Sequence, residues 1–215
     1  VKKYKAAMNC PLCNEISSHF CDTNKKSYFK CPKCKGIFIG NDFLPDYNFE
    51  KSRYSEHNND INDTRYQNFV SPIVNAILKD YNKNNIGLDF GAGTGPVISK
   101  MLNDNDYKIF QYDPFFYNNK DLLQNKYDYI ACCEVIEHFH KPEKEFTLLK
   151  NIMNKNAKLY CMTKLYSKDI DFNLWYYKND PTHVFFYQIE TLKFIACKYN
   201  FSDLYINNSL IIFTN

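Results

Sequence analysis

Between residues 66 and 81 the chain places Tyr66, Phe69, Val70, Ile73, Val74, Ile77, Leu78 and Tyr81 at intervals of three and four, with polar residues between them. That spacing predicts an amphipathic helix with one apolar face. Pro72 falls inside the stripe, so the pattern predicts either a kink or a fresh helix start capped by Ser71. Beyond it, short apolar runs alternate with helical stretches. IGLDF (86–90) reads as a buried strand and a helix follows at about 96–103. YKIFQYD (107–113) and KYDYIACCEV (126–135) read as strands, EKEFTLLKNIM (143–153) as a helix and AKLYCMT (157–163) as a strand. IETLKFIACKYN (189–200) is a further helix, and SDLYINNSLIIF (202–213) a terminal hairpin turning at Asn207 and Asn208. Alternation of this kind predicts an α/β fold, with a doubly wound, mostly parallel sheet whose ligand lies beyond the carboxyl ends of the strands.

Ahead of this body the pattern changes. Residues 46–65 (DYNFEKSRYSEHNNDINDTR) are polar and turn-rich, and read as a linker or lid. Residues 1–45 carry CPLC at 10–13 and CPKC at 31–34, with 17 residues between the two knuckles, and GIFIGNDFLP (36–45) as an exit strand. Each knuckle puts two thiolates on one tight turn, so Cys10, Cys13, Cys31 and Cys34 together make a tetrahedral four-sulfur zinc site, a zinc ribbon. Four thiolates leave no open coordination position, which makes this zinc structural. So few residues bury little core, and the metal is expected to supply the folding free energy. Its removal is expected to unfold the head and leave the body, 66–215, folded. His19 and Cys21, between the knuckles, read as spectators.

Composition narrows the class. The chain has 215 residues, 45% of them apolar, enough for one α/β domain and a small appendage. No apolar run approaches the length needed to cross a bilayer, and nine cysteines, an odd number in metal-site spacing, point to a reducing compartment, hence a cytoplasmic protein without membrane insertion. The net charge of +3 is uneven: Lys2, Lys3, Lys5, Lys25, Lys26, Lys30, Lys33 and Lys35 face only Glu15 and Asp22 in the first forty residues. A basic head on a mildly acidic body could touch a polyanion such as RNA, or be a solvated lysine-rich surface.

The glycine turn after the first body strand is IGLDFGAGTGP, with Asp89 ahead of Gly91, Gly93 and Gly95. An acid beside the turn would repel a pyrophosphate and suits a cationic ligand. The chain here resembles the class I S-adenosylmethionine (SAM) methyltransferases, whose first motif is acidic-x-Gly-x-Gly-x-Gly. The resemblance spans roughly 60–215 and implies a Rossmann-like, seven-stranded sheet with SAM held by Asp89, Gly91, Ala92, Gly93, Thr94 and Gly95. It also implies that Asp113, closing the second strand, takes the ribose hydroxyls, which a carboxylate can accept in pairs. The family often carries an acid near the adenine after a third strand; the stretch NNKDLLQNK (118–126) is short here and offers only Asp121.

Residues 132–140 read CCEVIEHFH. By the fold, Cys133 and Glu134 end the fourth strand beside the methyl donor, with Glu137 and His138 one turn on, and His183 far along in DPTHVFF. The pattern E-x-x-E-H with a distant His resembles the metal site of small-RNA 3′-terminal 2′-O-methyltransferases, and E-x-x-E-H alone occurs in ubiquinone-pathway O-methyltransferases. That resemblance implies Glu134, Glu137, His138 and His183 as ligands of Mg²⁺ or Mn²⁺, with Zn²⁺ also chemically admissible. Three uses stand open: a metal site, a metal-free base drawn from Glu134, His138 or His183, and a loop brace. His140 reads as a surface residue, and Trp175, Tyr176, Tyr177, Phe185 and Phe186 either stack an acceptor or form core.

A cysteine knuckle ahead of a SAM domain resembles the ribosomal-RNA guanine methyltransferases. The ribbon followed by a Tyr-rich lid also resembles methyltransferases of bacterial sugar and polysaccharide pathways. The whole layout, with YDPFF, EVIEHFH and DPTHVFFY, is most similar to bacterial zinc-ribbon methyltransferases of unassigned acceptor. The readings that follow are methyl transfer to a hydroxyl of a small-molecule or sugar-type acceptor, methylation of RNA gripped by the basic head, and a non-catalytic SAM-binding adaptor.

Overall fold

The alternating strands and helices of the body close into one six-stranded sheet. The computed structural model of the protein describes residues 7–56 and 60–215; Lys2, Lys3 and Lys5 of the basic head, and residues 57–59 of the linker or lid, lie outside the described residues. The head contains β1 (Ala7–Asn9), β2 (Ile16–Thr23), β3 (Lys26–Lys30) and β4 (Ile37–Ile39), and α1 (Tyr47–Ser55) and α2 (Thr64–Asp80) follow. The body continues with β5 (Ile86–Phe90), α3 (Val97–Asn103), β6 (Lys108–Tyr112), β7 (Tyr127–Cys133), α4 (Pro142–Asn151) and β8 (Met153–Met162). It ends with β9 (Phe185–Phe186), α5 (Ile189–Lys198), β10 (Asp203–Asn207) and β11 (Leu210–Thr214).

The body sheet has the order β10-β11-β8-β7-β5-β6. Pairs β5–β6, β5–β7 and β7–β8 are parallel, whereas β8–β11 and β10–β11 are antiparallel. The expected seventh strand is not found among the described residues. Where it would fall, after β6, the chain makes an isolated bridge between Asp113 and Tyr117 and a 3-10 turn at Lys120–Gln124. That segment, rich in Asn and Lys, has no apolar alternation with which to bury an edge strand. Because β5 lies between β6 and β7, the chain reverses direction across the sheet there, and the loops after β5 and β7 meet. They meet closely: Gly91 has φ of +81°, and a Cβ on it would sit 2.4 Å from Val135. Only glycine fits both demands.

Helix α2 runs unbroken through Pro72 and buries Val70, Ile73, Val74 and Ile77. Proline has no N–H for the carbonyl of Asn68, and the Ser71 hydroxyl donates to that carbonyl instead, at 2.8 Å. Ser71 therefore lies inside one helix and caps no second one, which was one of the two readings the pattern allowed; the cap is Asp63, which accepts from the Arg65 N–H. Helix α1 lies in the segment expected to be a linker or lid. Asp46 caps it by accepting from the Phe49 N–H, yet Glu50 is its only buried residue, so no apolar stripe announces it.

The head sheet has the order β1-β2-β3-β4-β9, and its last strand comes from the body. Ile37 pairs with Phe186 and Phe38 with Phe185, antiparallel. Cys10, Leu12, Cys31, Cys34 and Phe38 belong to the same apolar core as Ile136, Phe146, Leu149, Phe185 and Tyr187. The Glu143 N–H also donates to the Pro11 carbonyl at 3.3 Å, and Lys198 Nζ to the Leu12 carbonyl at 2.7 Å. The head is thus packed onto the body through a shared core. No helix among the described residues is long and apolar enough to cross a membrane.

Leu12, inside the first knuckle, is fully buried. Leu12→Ala should lower the stability of the whole chain by about 2–5 kcal/mol, the range for a buried Leu→Ala. Chemical denaturation followed on a body probe checks this; an unchanged body transition would mean that the head does not share the core.

Candidate active site

Strand β5 delivers Asp89 to the reversal point. Its carboxylate, 4% exposed, accepts from the Ser99 hydroxyl at 2.8 Å. Burial pushes its pKa up to about 6 against the Ser99 hydrogen bonds, and the nearby Asp113 charge adds to the rise. Asp113, at the end of β6, accepts from the N–H of Gly93 at 2.9 Å through one oxygen. Its other oxygen takes the N–H groups of Phe115 and Phe116, at 2.8 and 3.2 Å. Burial raises Asp113 too, with these amide donors opposing it. The carboxylate thereby pins the glycine turn to the loop after β6. Asp89, Gly91, Ala92, Gly95 and Cys133 line one cavity, joined by Tyr66 from α2. Tyr66 read in the sequence only as part of a helix stripe; a tyrosine on the body-facing side near the helix start was the available signal. Thr94 is exposed beside the turn. Asp121 is exposed on the 3-10 turn, its N–H on the Asn119 side chain, and it does not line the cavity.

Just past β7, Glu134 has φ of +51°, a conformation that costs a non-glycine residue energy and often marks a functional site. A 3-10 turn at Ile136–His138 then turns Glu137 inward, where it is fully buried. The Tyr177 hydroxyl bonds to Glu137 Oε1 and lies 3.0 Å from both Glu134 Oε2 and Thr163 Oγ1. One phenolic proton cannot serve two carboxylates. Burial, and then the Glu134 charge, pushes Glu137 well up; burial raises Glu134, with Tyr177, Glu137 and Lys164 easing it. The second oxygen of Glu137, Oε2, is buried without a hydrogen-bond partner among the described residues.

Two imidazoles complete the cluster. His138 Nδ1 lies 2.9 Å from the Thr182 carbonyl and His183 Nδ1 lies 2.7 Å from the Tyr177 carbonyl. A carbonyl only accepts, so each Nδ1 carries hydrogen and, in the neutral ring, the lone pair sits on Nε2. One ligand atom from each of Glu137, His138 and His183 lies within 4.8 Å of the others. Glu134 falls outside that triad and sits instead against Tyr177.

Helix α1 straps over this corner. Tyr54 packs edge-on against His138 and Phe115, at 5.3 and 5.2 Å between ring centres, and Tyr47 stacks on Phe115 at 4.9 Å. Arg53 bridges to Asp180 at 3.0 Å, and His140 meets Glu50 at 3.2 Å, so His140 is a half-buried tether where a surface residue was expected. Asp180 is pulled up by burial, but Thr182, the His183 charge and Arg53 outweigh this and hold it far below the usual range. Of the five aromatics that could stack an acceptor, Trp175, Tyr177, Phe185 and Phe186 are core, packed where β9 meets β4. Only Tyr176 is exposed, at 61%, with Lys164 Nζ 5.6 Å above its ring.

The four head cysteines converge, with their sulfurs within 4.8 Å of one another. Cys10 and Cys34 are 3.5 Å apart and Cys13 and Cys31 3.4 Å; tetrahedral zinc with 2.3 Å bonds separates sulfurs by about 3.8 Å. The knuckles repeat each other. Cys10 and Cys31 donate their N–H to Glu15 and Gly36 and accept from Asn14 and Lys35, which both take positive φ, 61° and 63°. His19 pairs with Asp22 away from the four sulfurs, and Cys21 lies on β2.

Residues 63–206 match the family described as the methyltransferase domain, and the protein belongs to that family. Among solved structures, a candidate O-methyltransferase from Nostoc punctiforme PCC 73102 is 13% identical, with a TM-score of 0.54, over 69% of this chain and 56% of that one. The magnesium protoporphyrin IX methyltransferase of Synechocystis PCC 6803, solved with bound S-adenosylhomocysteine (SAH), is 14% identical, with a TM-score of 0.53, over 81% and 96%. Human N-acetylserotonin methyltransferase, solved with SAM, is 10% identical, with a TM-score of 0.51, over 70% and 53%. The chain therefore spans little more than half of the Nostoc and human proteins. At these identities the likeness is one of fold. No curated protein matches the sequence at a significant level.

Asp89 gives a pH signature. Its folded pKa of about 6 lies above the ordinary 3.8, so between those values the folded state holds a proton that the unfolded state has lost. Stability from this group is complete below about pH 4 and falls as pH rises through 6. Asp89→Asn, which keeps an acceptor for Ser99, should gain on wild type across that window by up to about 3 kcal/mol. Denaturation of both proteins at pH 4 to 7.5 checks this; a pH-independent difference would contradict it.

Proposed function

We propose that the protein transfers the methyl group of SAM to a hydroxyl oxygen of a small-molecule or sugar-type acceptor. The observation that carries this is one strand end shared by two features: Cys133 lines the cavity of the glycine turn, and the next residue, Glu134, opens the acid–imidazole cluster. SAM and SAH in the human and Synechocystis proteins support the choice of donor, as do the acids Asp89 and Asp113 around a turn whose glycines allow close backbone approach. In the transfer the acceptor oxygen attacks the sulfonium methyl, the carbon–sulfur bond breaks, SAH leaves, and the hydroxyl proton passes to the protein. With no cation bound, carbonyl bonds at Nδ1 hold His138 and His183 with Nε2 as the ring atom suited to accept that proton. Glu134, held by Tyr177 beside Cys133, orients the acceptor hydroxyl.

The cluster also fits a divalent cation. Glu137 Oε2 is a buried oxygen without a partner, and the Glu137, His138 and His183 donors lie close enough together to share an ion. Two imidazoles and one carboxylate suit Mn²⁺ or Zn²⁺ better than Mg²⁺. A cation held by these three residues would lower the pKa of an acceptor hydroxyl beside it. Zinc in the four-cysteine site of the head is proposed on the sulfur spacing. A small acceptor is favoured over RNA by the small molecules named for the Synechocystis and human proteins, magnesium protoporphyrin IX and N-acetylserotonin; in the head, Lys26 is half-buried with its Nζ on the Pro181 carbonyl, while Lys35 stays exposed.

Calorimetry should show SAH binding, and silence at millimolar SAH would contradict the donor. Mn²⁺ titration followed by electron paramagnetic resonance should show one cation bound at the cluster. It should be lost in His183→Ala while SAH affinity changes by less than about threefold; Mn²⁺ binding unaltered in that variant would remove the cation from the cluster.

A further inference from the structure

We propose that the four-cysteine head is a positioning device for the active site, because the segment carrying His183 and bracing Glu137 is hung on the head's edge. The proposal rests on the reading of Glu137 and His183 as groups that serve the acceptor. Residues 179–188 meet the head at point after point. Asn24 Nδ2 donates to Asn179 at 2.9 Å, Lys26 Nζ to the Pro181 carbonyl at 3.4 Å, and Gln188 Nε2 to the Lys35 carbonyl. Between these, β9 is the fifth strand of the head sheet, and the ring of Phe185 stacks on that of Phe38 at 6.3 Å and 9°.

A main-chain path links the two sites. The Cys31 N–H closes its knuckle on the Gly36 carbonyl at 2.9 Å, and Gly36 leads directly into β4. At the far end of β4 the Ile39 N–H donates to the Val184 carbonyl at 3.0 Å, and the Val184 N–H donates to the Glu137 carbonyl at 2.9 Å. Val184 thus joins the head to the backbone of the cluster's buried acid, and its neighbour is His183. The same segment supplies the carbonyl of Thr182, which fixes the ring of His138. Every member of the triad is therefore held, through backbone or ring, by a segment whose outer side lies against the head.

The head shares apolar core with the body, and its knuckle end is gathered around the four cysteines. Strands β1, β3 and β4 are short, three to five residues each, and run to or from the four sulfurs, which a metal would hold together. With the metal in place, β4 offers β9 a fixed edge; without it, that edge loosens and Val184 loses its donor. Gly36 offers a second way to disturb the contact without touching a cysteine. A Cβ there would lie 2.3 Å from the Phe185 ring, so a larger side chain pushes β9 off β4.

Hydrogen exchange at the Val184 amide, read together with SAH binding, tests the proposal. In zinc-loaded protein Val184 should be protected. Zinc removal by a chelator, and separately Gly36→Val with zinc retained, should each speed its exchange at least about tenfold, with β5 and β7 amides still protected and SAH still bound. Val184 protection surviving while the Cys31 amide loses its own would overturn the proposal. So would loss of protection throughout the chain with loss of SAH binding, since the head would then support the whole fold and position nothing in particular. A purified protein that holds no zinc would also overturn it. Failure of the zinc-loaded protein to bind SAH would instead count against the methyltransferase reading and leave the exchange comparison valid.

Discussion

Two carboxylates meet one phenol in the interior of this protein, and much of the surrounding structure exists to hold that meeting. Glu134 and Glu137 both approach the Tyr177 hydroxyl, and burial raises both. Two buried charges of one sign are costly unless a proton or a cation intervenes. The surroundings suit such a partner: Glu137 keeps one oxygen without a hydrogen bond, and two imidazoles are fixed by carbonyls so that their lone pairs lie on Nε2. Glu134 accepts a left-handed backbone to stand there. Tyr177 is central to both halves, since its hydroxyl binds the acids and its carbonyl fixes His183.

The reversal of strand order between β5 and β7 explains why the cluster lies beside a cavity. Loops leaving adjacent parallel strands in opposite directions open a crevice at their carboxyl ends. Here one loop is glycine-rich and anchored by Asp113, and the other carries Glu134. Helix α1 and the 179–188 segment then cover the crevice from outside, joined to each other by Arg53 and Asp180. The head braces that second cover, which is why a metal-type knuckle and a transferase fold share one core.

The parts of this arrangement legible in the sequence are those written in short periods. The strand–helix alternation, the glycine turn with Asp89 and the two C-x-x-C knuckles each follow from local spacing, and Asp89, Gly91, Ala92, Gly95 and Cys133 lie around one cavity. What local spacing could not show was partnership across the chain. Helix α1 buries only Glu50 and is held by rings and ion pairs supplied by distant loops, so no stripe marks it. Tyr177 looked like one of many tyrosines until the fold placed its hydroxyl between two acids. Phe185 and Phe186 read equally well as an acceptor surface, and became core only because β9 joins the head sheet. The seventh strand was an expectation from family likeness, and the polar stretch after β6 could not supply it.

The most direct measurement is a crystal structure with SAH and Mn²⁺, read through the anomalous signal of manganese. SAH is expected in the cavity lined by Asp89, Gly91 and Cys133, with manganese bonded to Glu137 Oε2 and to His138 and His183 at about 2.0–2.3 Å. SAH bound elsewhere, or a cavity filled by SAH while manganese avoids all three residues and Glu137 Oε2 still has no partner, would contradict the account.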